Sequence, residues 1–361
     1  MRDVFRKELN DLRPYKPGKP IADVQREYGL DKVYKLASNE NPLGCSPKVK
    51  EAIRSALDNI NIYPDGNATL LKEKLSKITG FSTSQILPSS GLDEMIDQIA
   101  KTFINDGEEA IMSDHSFVRY IGTTKMMGGI PVIVPMKEDF TFDLDEMLNR
   151  INDNTKLIWI CNPNNPTGTM LTEDQITSFI EKVSEDIIIV YDEAYREFAT
   201  HKDFPHDSLK FLEKYSNIII MRTFSKIYGL ASLRVGYTIA SEIIIENLNK
   251  IRPAFNVNSF AQVAALAAMD DRDFVENTIE NNNIGKEYLY KEFDKMGLKY
   301  ALSQTNHIWV DVEKDAQEVF VNLQKKGVII RPQVGTFIRV SIGLPEENEF
   351  FIKCLKEELG K

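Results

Sequence analysis

Between about residues 67 and 240 the chain alternates short β-branched or apolar runs with stretches of helical period. The runs Glu109–Ser113, Pro131–Pro135, Lys156–Cys161, Asp186–Tyr191, Asn217–Met221 and Gly236–Ala240 are expected strands. Several are apolar on both faces, which suits strands buried in a parallel sheet. Between them Leu92, Met95, Ile96, Ile99, Ala100 and Phe103 recur at helical spacing. Thr172 and Gln175 make a capping-box pattern ahead of Ile176, Phe179 and Ile180. This alternation predicts an α/β fold, a mostly parallel sheet flanked by helices. From about residue 274 the pattern changes. A long polar helix is expected over Phe274–Met296, strands over His307–Val312, Val328–Arg331 and Phe337–Ile342, and a closing helix over Glu346–Leu359. That set predicts a smaller α+β domain. The first 20 residues hold Pro14, Pro17, Gly18 and Pro20, which excludes a helix interior there and predicts an extended arm. The expected division is an arm and the start of the small domain over 1–45, a large domain over 46–280 and the rest of the small domain over 281–361.

Composition agrees with a two-domain globular chain. The 361 residues are 42% hydrophobic and 27% charged, which excludes disordered, collagen-like and disulfide-framework classes. With 44 Lys+Arg against 54 Asp+Glu the formal net charge is −10. Such a chain lacks the broad positive field that nucleic acids and anionic membranes require, so any phosphate must be held by a local set of donors. The longest apolar runs, such as Ile187 to Tyr191 and Ile218 to Met221, fall far short of the roughly 18–20 residues that span a bilayer. Met1 to Leu12 mixes charges every few residues and shows no apolar signal-peptide core. Cys45, Cys161 and Cys354 form no disulfide framework or CxxC pair, and His115, His201, His206 and His307 show no metal-ligand spacing. A metal-free cytoplasmic protein is expected.

The chemistry-bearing residues follow the strands. In parallel sheets ligands sit beyond the carboxyl ends of the strands. Lys156–Cys161 runs into Asn162-Pro163-Asn164-Asn165-Pro166-Thr167-Gly168, Asp186–Tyr191 into Asp192-Glu193-Ala194-Tyr195, and Asn217–Met221 into Arg222-Thr223-Phe224-Ser225-Lys226. Singly these read as a turn, a helix cap and a surface lysine; on one sheet edge they read as a convergent site. Gln85–Pro88 leads into Ser89-Ser90-Gly91 and the helix from Leu92, where free backbone N–H groups offer a phosphate site. Thr223, Ser225 and Arg234 add anion donors.

Asn162–Gly168, Asp192–Tyr195 and Thr223–Lys226, with Arg234 eight residues after the lysine, resemble the fold-type I pyridoxal-phosphate aminotransferases. Within that class, in the class II subgroup, the chain resembles the histidinol-phosphate aminotransferases over essentially its whole length. The segments that carry this are Arg13–Gly18, Lys35–Pro42, Tyr63–Gly66, Thr223–Ala231 and Leu233–Tyr237. The resemblance implies a large domain that binds pyridoxal 5′-phosphate, with Lys226 as its Schiff-base lysine and proton carrier. It implies that Asp192 pairs with the pyridine nitrogen and that Tyr195 and Asn165 hydrogen-bond the ring oxygen. The phosphate would lie on the helix start at Leu92 and Asp93, with Thr223, Ser225 and Arg234. Phe117 takes the place of the aromatic over the ring face, where many members carry Tyr. Arg339 matches the arginine that clamps a substrate carboxylate or phosphate, and Arg331 is a second candidate for the phosphate. Tyr15 and Asn39 would close the pocket from the arm, and Tyr63 would reach the neighbouring subunit's cofactor, which implies a homodimer with shared active sites. The implied reaction takes a small-molecule amino donor and a 2-oxo acid: L-histidinol phosphate and 2-oxoglutarate give imidazole-acetol phosphate and L-glutamate in histidine biosynthesis. Aromatic amino-acid transamination and threonine-phosphate decarboxylation use the same scaffold and are the alternatives. A non-catalytic cofactor-binding domain is argued against by the intact Lys226, Asp192, Tyr195 and Arg234. Two departures touch the small domain: the short connection over 332–338 between Arg331 and Arg339, and His307 where relatives usually carry an aromatic hydrocarbon ring.

Overall fold

The computed structural model describes residues 4–14 and 18–361. The strands are β1 (Tyr34–Lys35), β2 (Ile86–Ser89), β3 (Glu109–Ser113), β4 (Ile130–Val134), β5 (Thr155–Cys161), β6 (Ile188–Asp192), β7 (Ile218–Thr223), β8 (Gly236–Ile239), β9 (His307–Asp311), β10 (Val328–Ile329), β11 (Arg331–Pro332) and β12 (Phe337–Ser341). A seven-stranded sheet runs in the order β2-β8-β7-β6-β5-β3-β4. The five strands from β7 to β4 pair in parallel. β5 and β7 are buried on both faces, which explains their near-continuous apolar sequence. β8 is antiparallel to both neighbours, within the expectation of a mostly parallel sheet. The segment 224–235 that precedes it holds only the 3-10 turn Ala231–Leu233, and a chain that returns without a crossover helix must pair antiparallel.

Helices start where their caps are. The Thr172–Gln175 capping box forms at the head of the helix Glu173–Ile180. Helix Gly91–Phe103 buries Leu92, Met95, Ile96, Ile99 and Ala100, the face expected from the spacing. At the N-terminus the arm is not wholly extended: Lys7–Asp11 forms a 3-10 turn and Ile21–Tyr28 an α-helix that begins after Pro20 and ends on Gly29 at φ 66°. Pro14 lies between these pieces and Pro20 at the helix start, where a missing N–H costs nothing.

The expected strand over Val328–Arg331 is two strands in two sheets. β10 pairs in parallel with β1, and β11 turns into an antiparallel sheet with the order β11-β12-β9. Pro332 cannot donate to a ladder, which suits it to the edge position that β11 occupies. Arg331 lies directly opposite Arg339 in this register, so the short connection is a tight return containing Gly335 at φ 63°. One hydrophobic core lies on the seven-stranded sheet, and another joins Leu289, Phe293 and Met296 to β9, β12 and the closing helix Pro345–Leu359. The helix Arg272–Met296 passes through residue 280 without a break. Its Val275 and Ile279 pack on Tyr195, Phe198 and Ile227, while its second half enters the C-terminal core.

Candidate active site

The carboxyl ends of β5, β6 and β7, the start of helix Gly91–Phe103 and the inner edge of β12 enclose a cavity of about 290 Å³. At one end is an anion cup. Gly91 has φ +74°, so the backbone favours glycine there, and a Cβ on it would stand 2.5 Å from Nη2 of Arg234 and push that guanidinium aside. Arg234, itself left-handed at φ 55°, leans across the helix start and meets Asp93 at 3.5 Å. Thr223 ends β7, and its Oγ1 accepts from the Ser225 N–H at 3.1 Å.

Opposite the cup, Asp192 ends β6 beside Cys161. Its Oδ2 accepts from the Tyr120 hydroxyl at 2.7 Å, and its Oδ1 from the Ala194 N–H at 3.0 Å. Burial pushes its carboxyl up to about 6, against the pull of those two hydrogen bonds. Phe117 lines the cavity and meets Tyr120 edge-on, centroids 5.7 Å apart.

Lys226 stands between these ends. Its Nζ lies 3.4 Å from the Ser38 carbonyl oxygen and 5.6 Å from the Tyr195 ring centroid. Burial, and then the charge of Arg339, lower its ammonium to about 8, with Glu40 pulling the other way. The Tyr195 hydroxyl accepts from Asn39 Nδ2 at 2.9 Å, and burial holds its phenol well above the ordinary value. Asn39 is fixed in turn, at φ 54°, by its N–H to Ser341 Oγ at 2.8 Å. Arg339 donates to Asn165 Oδ1 at 2.7 Å and to the Ala37 carbonyl at 2.5 Å, which closes β12 onto the turn after β5.

Leu92, Asp93, Phe117, Asn165, Asp192, Tyr195, Thr223, Ser225, Lys226, Arg234, Asn39, Arg331 and Arg339 all line this one cavity. Tyr63 does not: it is 80% exposed and stacks on Phe255 at 4.7 Å, away from the cavity of its own chain. Tyr15 lies outside the described residues. His307 is fully buried behind Tyr195, ring centroids 5.1 Å apart, with Nδ1 3.0 Å from Thr305 Oγ1, and does not line the cavity. Burial and the charges of Arg339 and Lys226 hold its imidazole well below the ordinary value. Sequence reasoning missed Tyr120, whose one signal is its place three residues after Phe117, and the cavity residues Ser38, Glu40 and Cys161.

The donor set fits pyridoxal 5′-phosphate. A half-buried amine of lowered pKa suits an aldehyde, and a buried carboxylate at the far wall suits a basic ring nitrogen. The glycine turn under Arg234 suits a phosphate.

Comparison with known proteins agrees. The family model for aminotransferase class I and II matches residues 31–353. A histidinol-phosphate aminotransferase of Caldicellulosiruptor saccharolyticus is 51% identical over 360 residues, 99% of this chain and 100% of that protein. One from Moorella thermoacetica is 44% identical over 98% of this chain and 93% of its own length. The crystal structure of histidinol-phosphate aminotransferase from Sinorhizobium meliloti in complex with pyridoxal-5′-phosphate superposes with a TM-score of 0.90 at 28% identity, over 99% of this chain and 98% of that one. The chain belongs to the class I and II aminotransferases and, within them, to the histidinol-phosphate aminotransferase family. A threonine-O-3-phosphate decarboxylase from Porphyromonas gingivalis, at 22% identity and a TM-score of 0.79, shares the fold.

Proposed function

We infer that this chain is a pyridoxal-phosphate-dependent transaminase of histidine biosynthesis, interconverting L-histidinol phosphate and 2-oxoglutarate with imidazole-acetol phosphate and L-glutamate. The observation that carries this is the convergence of Lys226, Asp192, the Arg234 cup and Arg339 on one cavity, in a chain 51% identical to a histidinol-phosphate aminotransferase.

The chemistry the cofactor supplies when bound is an electron sink that makes the substrate Cα–H bond labile. The rest falls to the protein. With its ammonium lowered to about 8, Lys226 presents a substantial neutral fraction near pH 7–8, able to attack a carbonyl carbon and later to take up and return the Cα proton. Asp192 would stabilise a proton on the ring nitrogen by its charge. Tyr195 and Asn165 would hold the ring oxygen, and Phe117 would offer the ring an apolar contact without a hydroxyl. The N–H groups at Leu92 and Asp93, with Thr223, Ser225 and Arg234, bind the phosphate. Arg339 receives the carboxylate of glutamate or the phosphate of histidinol phosphate, since a planar guanidinium suits both anions. Arg331, opposite it in the β11–β12 register, is the second phosphate ligand. Asn39 closes the pocket from the arm.

Tyr63 serves the cofactor phosphate of a partner subunit. In support, Ile60, Ile62 and Phe255 beside it are 72%, 60% and 45% exposed, an apolar surface suited to being covered in a homodimer. The arm over 1–45, the cofactor-binding region over 46–280 and the small domain over 281–361 are the working parts of this reading. We assign the enzyme to the cytoplasm; among the described residues no helix is long and apolar enough to cross a membrane.

The test is kcat/KM for histidinol phosphate, phenylalanine and tyrosine with 2-oxoglutarate as acceptor. Histidinol phosphate should lead by roughly 10–200-fold, the discrimination that a few pocket contacts provide. Equal or better use of phenylalanine or tyrosine would overturn the substrate assignment.

A further inference from the structure

Asp192 must keep a negative charge in a place that opposes it. It is 3% exposed, and burial drives its carboxyl toward the neutral form. The titratable groups facing it are the Tyr120 phenol from helix Arg119–Met126, the Cys161 thiol from β5, Asp93 from helix Gly91–Phe103, and Glu193 and Tyr195 from its own strand end. Glu193 and Asp93 act in the same direction as burial. The Cys161 thiol donates instead to the Pro163 carbonyl, at 3.4 Å. Among the described residues the carboxylate oxygens accept from two groups, the Ala194 N–H and the Tyr120 hydroxyl.

Tyr120 is built as a fixed donor. It is fully buried, and its ring stacks on Trp159 with centroids 4.5 Å apart and planes 11° from parallel. Phe117 meets its ring edge-on at 82°. Burial and the neighbouring carboxylate hold its phenol protonated throughout the working pH range. A hydrogen bond to the charged form of an acid favours that form.

We propose that Tyr120 is a positioning residue for the cofactor: its hydroxyl, held by the Trp159 stack, keeps Asp192 ionised and oriented, and joins it to Phe117 at the ring face. This rests on the aminotransferase reading. The step it supports is binding, so it can be read without turnover.

The experiment titrates the apo protein with pyridoxal 5′-phosphate from pH 5.5 to 8.5, following tryptophan fluorescence, for the parent, Tyr120→Phe and Phe117→Leu. Affinity falls below about pH 8 in every variant as Lys226 takes up a proton, and falls again where Asp192 does, so the lower of the parent's two midpoints should lie near 6. Tyr120→Phe keeps the stack and loses the donor. That midpoint should move up by roughly one pH unit, with affinity about fivefold below the parent at pH 6 and nearly equal at pH 8.5. Phe117→Leu removes the ring contact and keeps the hydroxyl, so it should weaken binding at every pH with the midpoint unmoved. A Tyr120→Phe curve parallel to the parent, or identical with it, overturns the proposal, as does a midpoint that moves equally in Phe117→Leu. If the parent itself binds no pyridoxal 5′-phosphate, the aminotransferase reading fails instead.

Discussion

Lys226, the proposed Schiff-base lysine, is set by its surroundings. An ammonium that ordinarily titrates at 10.5 is lowered to about 8, so in the apo protein its charge is a burden on the fold below that pH. The folded state then binds fewer protons than the unfolded chain between about 8 and 10.5, and stability rises with pH across that window. Lys226→Met should therefore melt at a higher temperature than the parent in apo form at pH 7, a gain on the order of 2 kcal/mol after solvent screening. The gain should shrink as pH rises beyond 8 and vanish above 10.5, which thermal melts at stepped pH would check. The same variant should lose transamination by at least roughly 10²–10⁴-fold, the share a positioned acid–base group provides. A parent-like turnover would remove Lys226 from the chemistry.

Among elements, the glycine turn before helix Gly91–Phe103 sets the geometry of the anion cup. Gly91→Ala meets two obstacles, a left-handed φ of +74° and the Arg234 guanidinium 2.5 Å from the new methyl. It should lower the melting temperature by the equivalent of about 1–3 kcal/mol and, by displacing Arg234, weaken pyridoxal 5′-phosphate binding. Calorimetry and a cofactor titration read the two effects separately, and unchanged cofactor affinity would count against the cup. This turn was legible because small residues between an apolar run and a helical period have few readings. So were the parallel strands and the Thr172–Gln175 cap, whose signals lie within a few residues. The division of Val328–Arg331 was not legible, because an unbroken β-branched run carries no mark of the corner at Ile330 or of the distant partners on either side. The direction of β8 was not legible for a related reason: a strand's apolar pattern does not encode it.

At the scale of the whole molecule the cavity is assembled from separated parts. Asn39 is held by Ser341, and Arg339 by Asn165 and Ala37, contacts no local pattern announces. The residue types at the site could be read from the chain; the links between them, and Tyr120 beneath Asp192, depend on the tertiary fold. Tyr63 is the extreme case, because its expected target belongs to another chain. Sedimentation should show a dimer, and Tyr63→Phe should keep that dimer while raising the dissociation constant for pyridoxal 5′-phosphate about tenfold, the loss of one hydrogen bond to a charged group. A monomeric parent, or a Tyr63→Phe protein with parent affinity, would end the shared-site reading.

The parallel pairing of β1 with β10 has a further consequence, for the order of events during synthesis. Tyr34 waits for Val328, and Asn39 for Ser341, so this wall of the pocket cannot form until residues about 300 positions further on have left the ribosome. The seven strands of the large sheet are complete by Ile239. The nascent chain can thus raise the sheet floor of the cavity early, while the wall that carries Arg339 follows later. Contacts of such long sequence separation also form slowly.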